Sequence, residues 1–126
     1  MIHGVHKVVI GVVDQEKSKS FWTEKMGFTV ARDLPYAEGS RWIEVLSPDG
    51  ATRLVLDPNT PRRTEGMQDD LPHSNVFFYA DDIEKTYEEL SEKGVVFPTP
   101  PVKQPWGWWS TFEDEAGTRY ALSQRD

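Results

Sequence analysis

The order of elements in this chain is written twice. "ATRLVL" at 51–56 and "GTRYAL" at 117–122 each follow a glycine turn, "PDG" and "EAG", and each has the pattern of a short strand. The equivalence extends upstream. "HKVVIGVVD" (6–14) reads as a β-branched strand, and "DQEKSKSFWTEKMGF" reads as a helix with Asp14 as N-cap, an apolar face of Phe21, Trp22 and Met26, and Gly27 as the stop. "FTVARD", "SRWIEVLS" and "TRLVLD" follow as strands. In the second half "SNVFFYAD" (74–81) is the strand, "DDIEKTYEELSEKG" the helix with Ile83, Tyr87 and Leu90 on one side, and "VVFPTP", "GWWSTFED" and "TRYALSQ" the later strands. Asp14 to Gly27 and Asp81 to Gly94 both span thirteen residues, and Gly50 and Gly117 lie 67 apart. The chain is therefore expected to be a β-α-β-β-β module repeated, module 1 at 1–57 and module 2 at 73–126. Residues 58–72, rich in Pro, Gly and charge, join them as a linker, a plain connector before a lid.

With 126 residues the chain has room for one domain or two small halves, and no apolar run approaches the ~20 residues of a membrane span. The N-terminus lacks a basic n-region, so no leader is read there and the cytoplasm is the expected location. The absence of cysteine excludes disulfide and thiolate chemistry. A net charge of −7 argues against nucleic acid as partner. That charge is uneven: residues 1–63 carry 9 basic and 8 acidic side chains, residues 64–126 carry 5 and 13. The acidic half favours solubility, and secondarily a cationic guest. No nucleophile motif, phosphate loop or basic stripe is present.

The doubled β-α-β-β-β order, with "VVDQEKSKSFWTEKMGF" and the closing "FEDEAGTRYAL", resembles the vicinal oxygen chelate superfamily of glyoxalases, bleomycin-resistance proteins and extradiol dioxygenases. The resemblance covers nearly the whole chain. It implies an α+β fold, two tandem βαβββ modules forming a curled, mostly antiparallel sheet around a cavity with helices outside. Metal-using members place ligands on the first and last strand of each module, positions that fall here at Lys7, Val55, Asn75 and Ala121. An ammonium group, two aliphatic side chains and one amide do not make a metal site. His3, His6 and His73 read better as strand-entry residues than as ligands, and no cofactor is expected.

With Lys7 and Asn75 facing the cavity, as the resemblance implies, strand alternation places Phe77, Tyr79, Arg53 and Arg119 there too. Trp42 and Glu44 share a face of the third strand, with Trp106 and Trp108 of "PWGWWSTF" beside them. Aromatic rings with a few convergent polar groups suit a small aromatic or amphipathic ligand. The expected protein is a metal-free, homodimeric binder like the bleomycin-resistance branch. Two rivals stand beside it. One is an enzyme using His6 and His73 with a further donor, or Glu44 and Tyr79 as acid and base. The other is an interaction module whose aromatics fill the cavity.

Overall fold

The computed structural model describes residues 1–62 and 71–125, so most of the expected linker (63–70) lies outside the described residues. The chain divides into two compact units, Met1–Arg62 and Arg63–Asp126. Each contains one four-stranded mixed sheet with a helical segment on one face, which is the doubled module read from the sequence. The strands pair as two sheets and not as one. No helix is long and apolar enough to cross a membrane among the described residues.

In the first unit the elements run β1 (Lys7–Gly11), α1 (Gln15–Ser20), β2 (Thr29–Pro35), β3 (Arg41–Leu46) and β4 (Arg53–Asp57), with spatial order β1-β4-β3-β2. The first and last strands pair in parallel, Lys7 beside Arg53 and Val9 beside Val55. A parallel pair needs a long crossover, and the helix and the β2–β3 hairpin supply it.

Six residues are too few for a helix to persist alone, so α1 depends on its ends and on the sheet. The Asp14 carboxylate accepts the Lys17 amide at 3.0 Å. The Gln15 side-chain amide donates to the carbonyls of Arg41 and Leu56 at 2.6 and 2.9 Å and accepts the Arg41 amide, lacing the helix to two strands. The helix then widens into a π-helical stretch, Phe21–Lys25, and ends at Gly27 with φ 77°. Phe21 and Trp22 are both buried there, and Trp22 meets Phe21 and Phe28 edge-on at 5.3 and 5.1 Å. Ile10, Ile43, Val45, Leu54 and Leu56 complete that core.

Outside the core, Asp33 on β2 binds Arg41 at 2.8 and 2.9 Å and Lys19 at 2.8 Å. Those hydrogen bonds, Arg41's foremost, bring the Asp33 pKa down to about 2 against the opposing effect of burial.

The second unit repeats the plan with β5 (Phe77–Ala80), α2 (Ile83–Glu92), β6 (Val96–Gln104), β7 (Gly107–Glu113) and β8 (Arg119–Gln124), in order β5-β8-β7-β6. Asp82, not Asp81, caps α2, its side chain accepting the Lys85 amide at 3.1 Å. The equal thirteen-residue spacing read from the sequence is thus off by one, and β5 is shorter than the expected 74–81. β6 runs to Gln104, well beyond "VVFPTP". Its three prolines cannot donate to a ladder, which suits an edge strand and accompanies the register shifts between Val96, Thr99 and Val102. The core is aromatic. Phe112 stacks on Tyr120 at 5.6 Å, Phe78 packs against both, and Phe97 bridges Phe112 to Tyr87 of the helix.

Gly11 ends β1 where residues 60–62 pass over it. An added Cβ would fall on the Thr60 carbonyl oxygen and lie 3.1 Å from that of Pro61. Backbone would have to move, so Gly11→Ala is expected to cost about 1–3 kcal/mol in urea unfolding. An unchanged midpoint would show that the crossing segment yields freely.

Candidate functional site

Arg41 on β3 reaches Glu16 and Asp33 on the helix side of the first sheet, so its neighbours Trp42 and Glu44 alternate around to share the opposite, helix-free face. Register brings others to that face. Glu44 lies opposite Val55 of β4 and Arg32 of β2, and Lys7 lies beside Arg53.

The Glu44 side chain has no exposed surface. Its Oε2 accepts Lys7 Nζ at 2.7 Å and Trp42 Nε1 at 2.6 Å, while Oε1 accepts Arg53 Nη1 at 2.8 Å. Arg32 Nε stands 4.0 Å from Oε1. Burial alone pushes the carboxyl upward. Hydrogen bonds from Lys7, Arg53 and Trp42, with the Lys7 charge, outweigh it and bring the pKa down to about 2. Glu44 is therefore a carboxylate at neutral pH. A general base works best with a pKa near the operating pH, and a carboxylate held this low is a weak one. Four expected site residues, Lys7, Trp42, Glu44 and Arg53, come together here. Tyr36 packs on Trp42 at 5.4 Å.

The second unit sorts the same way. Phe78, Phe112 and Tyr120 pack toward α2, so Phe77, Tyr79, Trp109, Thr111, Arg119 and Ala121 share the helix-free face. Phe77 meets Trp109 at 5.8 Å, and Trp106 meets the same ring at 5.7 Å. Arg125 lies over the Tyr79 ring at 4.9 Å and donates to its hydroxyl at 3.0 Å. Phe77, Tyr79 and Trp106 are exposed by 61%, 45% and 65%, far more than rings serving a core.

The remaining expectations fare differently. Arg119 pairs with Glu113 at 3.2 Å. Asn75 lies exposed in a bend before β5 and not on the strand. Trp108 falls on the opposite face from Trp109, with Lys103 5.4 Å from its ring centre. His73 Nδ1 accepts the Arg119 amide at 3.0 Å, and His6 is exposed beside its own carbonyl's bond to Arg53.

Sequence reasoning passed over Arg32 and Arg125, and left Trp109 off the site. Register relates Trp109 to Trp42 and Thr111 to Glu44, and matching "WIE" to "WST" could have singled out Trp109. Arg32 had no such signal, because an irregularity between Val30 and Arg32 breaks the alternation of β2.

Two sheets built on one repeated βαβββ plan, each with a helix-free face bearing convergent polar or aromatic groups, define a class of protein. Residues 4–122 match the model of the Glyoxalase/Bleomycin resistance protein/Dioxygenase superfamily, and the chain belongs to that superfamily. It is 36% identical to YetH, an uncharacterized protein of Bacillus subtilis (strain 168), over 98% of this chain and 100% of that one. Among solved structures it is similar to TnmS3, an antibiotic binding protein from Streptomyces sp. CB03234, at 31% identity and a TM-score of 0.79, covering 99% of this chain and 98% of that one. A superfamily member from Sphaerobacter thermophilus DSM 20745 aligns at 27% identity and a TM-score of 0.80, with 98% of each chain covered.

Some relatives in this superfamily work through a bound metal, but the described residues do not fit one. Among the described residues no three His, Cys, Asp or Glu side chains gather. Both oxygens of Glu44 are taken by donors, and the Lys7 and Arg53 charges beside them would repel a divalent cation.

Breaking the cluster from its centre removes charge-assisted hydrogen bonds to partly exposed cations, so Glu44→Ala is expected to cost about 1–3 kcal/mol in urea unfolding. The folded pKa is depressed from the usual 4.5 to about 2, so this stabilisation is complete above about pH 4.5 and is lost as pH falls through about 2. Urea midpoints measured from pH 6 down should fall more steeply for the native protein than for Glu44→Gln. Parallel curves would show that Glu44 is not held as described.

Proposed function

We propose that the protein is a metal-independent binder that sequesters small aromatic or amphipathic molecules, acting in the cytoplasm as a homodimer. One observation carries the reading: the second unit keeps two separate sets of aromatic side chains. Phe78, Tyr87, Phe97, Phe112 and Tyr120 make its core. Phe77, Tyr79, Trp106 and Trp109 lie on the helix-free side, where three of the four are largely exposed. Aromatics spent on packing would not be left open to water, so the interaction module with an aromatic-filled interior fits less well. A planar ring stacking on Phe77 and Trp109 would regain the burial that these side chains lack. The likeness to an antibiotic binding protein supports a small molecule as the ligand.

The reading is tested by calorimetric titration of planar aromatic probes into protein treated with EDTA. Saturable binding is expected, with the same affinity before and after chelation. Phe77→Ala and Trp109→Ala should each weaken it about fivefold, the equivalent of about 1 kcal/mol of stacking. Sedimentation equilibrium should give a dimer mass. Binding that disappears with EDTA, or no binding by any probe, would overturn the proposal.

A further inference from the structure

We infer that the helix-free face of the first sheet carries an anion subsite, built from Lys7, Arg32 and Arg53 around Glu44, that receives a carboxylate borne by an aromatic ligand. The inference rests on the binding function proposed above and names the chemistry of the ligand.

The charges around Glu44 do not balance. One carboxylate, Glu44, meets three cations, with Lys7 at 2.7 Å, Arg53 at 2.8 Å and Arg32 at 4.0 Å. The excess is held in place and not dispersed in solvent. Lys7 and Arg53 are 32% and 28% exposed, and a wholly buried carboxylate fixes both heads. The entropy normally lost in ordering two long side chains has already been given up in folding.

Donor capacity remains. Among the described residues, Lys7 uses one of its three ammonium N–H groups and Arg53 one of its five, both on Glu44. Arg32 approaches Glu44 without a hydrogen bond and is more than half exposed. A carboxylate is the group that a guanidinium fork and an ammonium hydrogen recognise together. A ring belongs beside it. Trp42 is locked by its own bond to Glu44, and Tyr36 packs against it, so an aromatic surface adjoins the cations.

The acidic charge of the second half, which favours a cationic guest, does not govern here. Residues 1–63 carry one more basic than acidic side chain, and three cations stand within 4.0 Å of the one carboxylate of Glu44. Local charge at contact distance outweighs net charge beyond a Debye length of about 8 Å.

The test compares 2-naphthoate, 2-naphthamide and 2-naphthylmethylammonium, which share a ring and differ in charge. With the native protein, naphthoate should bind about tenfold more tightly than the amide, as charge-assisted bonds to two or three cations warrant. It should also move the Trp42 indole N–H resonance. Arg32→Gln removes a largely exposed side chain and should bring the carboxylate-to-amide ratio toward one, and Lys7→Gln should do the same. Lys93→Gln, an equal charge change at the exposed end of α2, should leave the ratio as it was. Equal affinity for acid and amide, a preference for the ammonium probe, or a still Trp42 resonance would overturn the subsite and leave the binding function standing. If no probe binds, both fall together.

Discussion

A carboxylate with no exposed surface cannot remain charged inside a protein unless positive or donating groups are brought to it. Glu44 meets that condition by drawing Lys7 from β1, Arg53 from β4 and Trp42 from its own strand, with Arg32 of β2 close by. All four strands of the first sheet therefore contribute to one electrostatic knot. The parallel pairing of β1 with β4 makes this feasible, because it aligns Lys7 and Arg53 side by side across from the strand that carries the acid. The knot orders Lys7 and Arg53, with Arg32 beside them, on the helix-free face of this sheet.

The two modules share a backbone plan and diverge in what they do with it. Where the first has Glu44, register places Thr111 in the second; Trp42 answers to Trp109, and Arg53 to Arg119. Arg119 is paired with Glu113 at the strand end, and Thr111 offers no carboxylate to gather cations. The cores differ as well, mostly aliphatic around Trp22 in one and a run of rings in the other. A repeated fold of this kind lets one helix-free face specialise in charge and the other in aromatic surface.

Much of this was readable in advance. Capping Asp14, the stops at Gly27 and Gly94, and the strand runs around "RWIEVL" and "TRLVL" announce themselves through local rules that depend on a few neighbouring residues. Four residues of the Glu44 cluster were picked out because strand alternation is also local. The failures share a cause. The repeat spacing was counted from Asp81 although Asp82 is the cap, Asn75 was placed on a strand, and Trp108 was named where Trp109 shares the face of Phe77, each a slip of one residue or one strand end. Side-chain direction in a strand flips with every residue, so a small slip reverses the answer.

The amino-acid order alone determined the doubled module, its helix ends and its strand-forming segments, since these follow from short-range sterics, capping and periodicity. Tertiary structure decided which groups meet. That Lys7, Glu44 and Arg53, separated by up to 46 positions, form one charged cluster follows from register across three strands. So does the sorting of Trp108 and Trp109 to opposite faces. Register is set by the packing of whole elements, and no local stretch of sequence contains it.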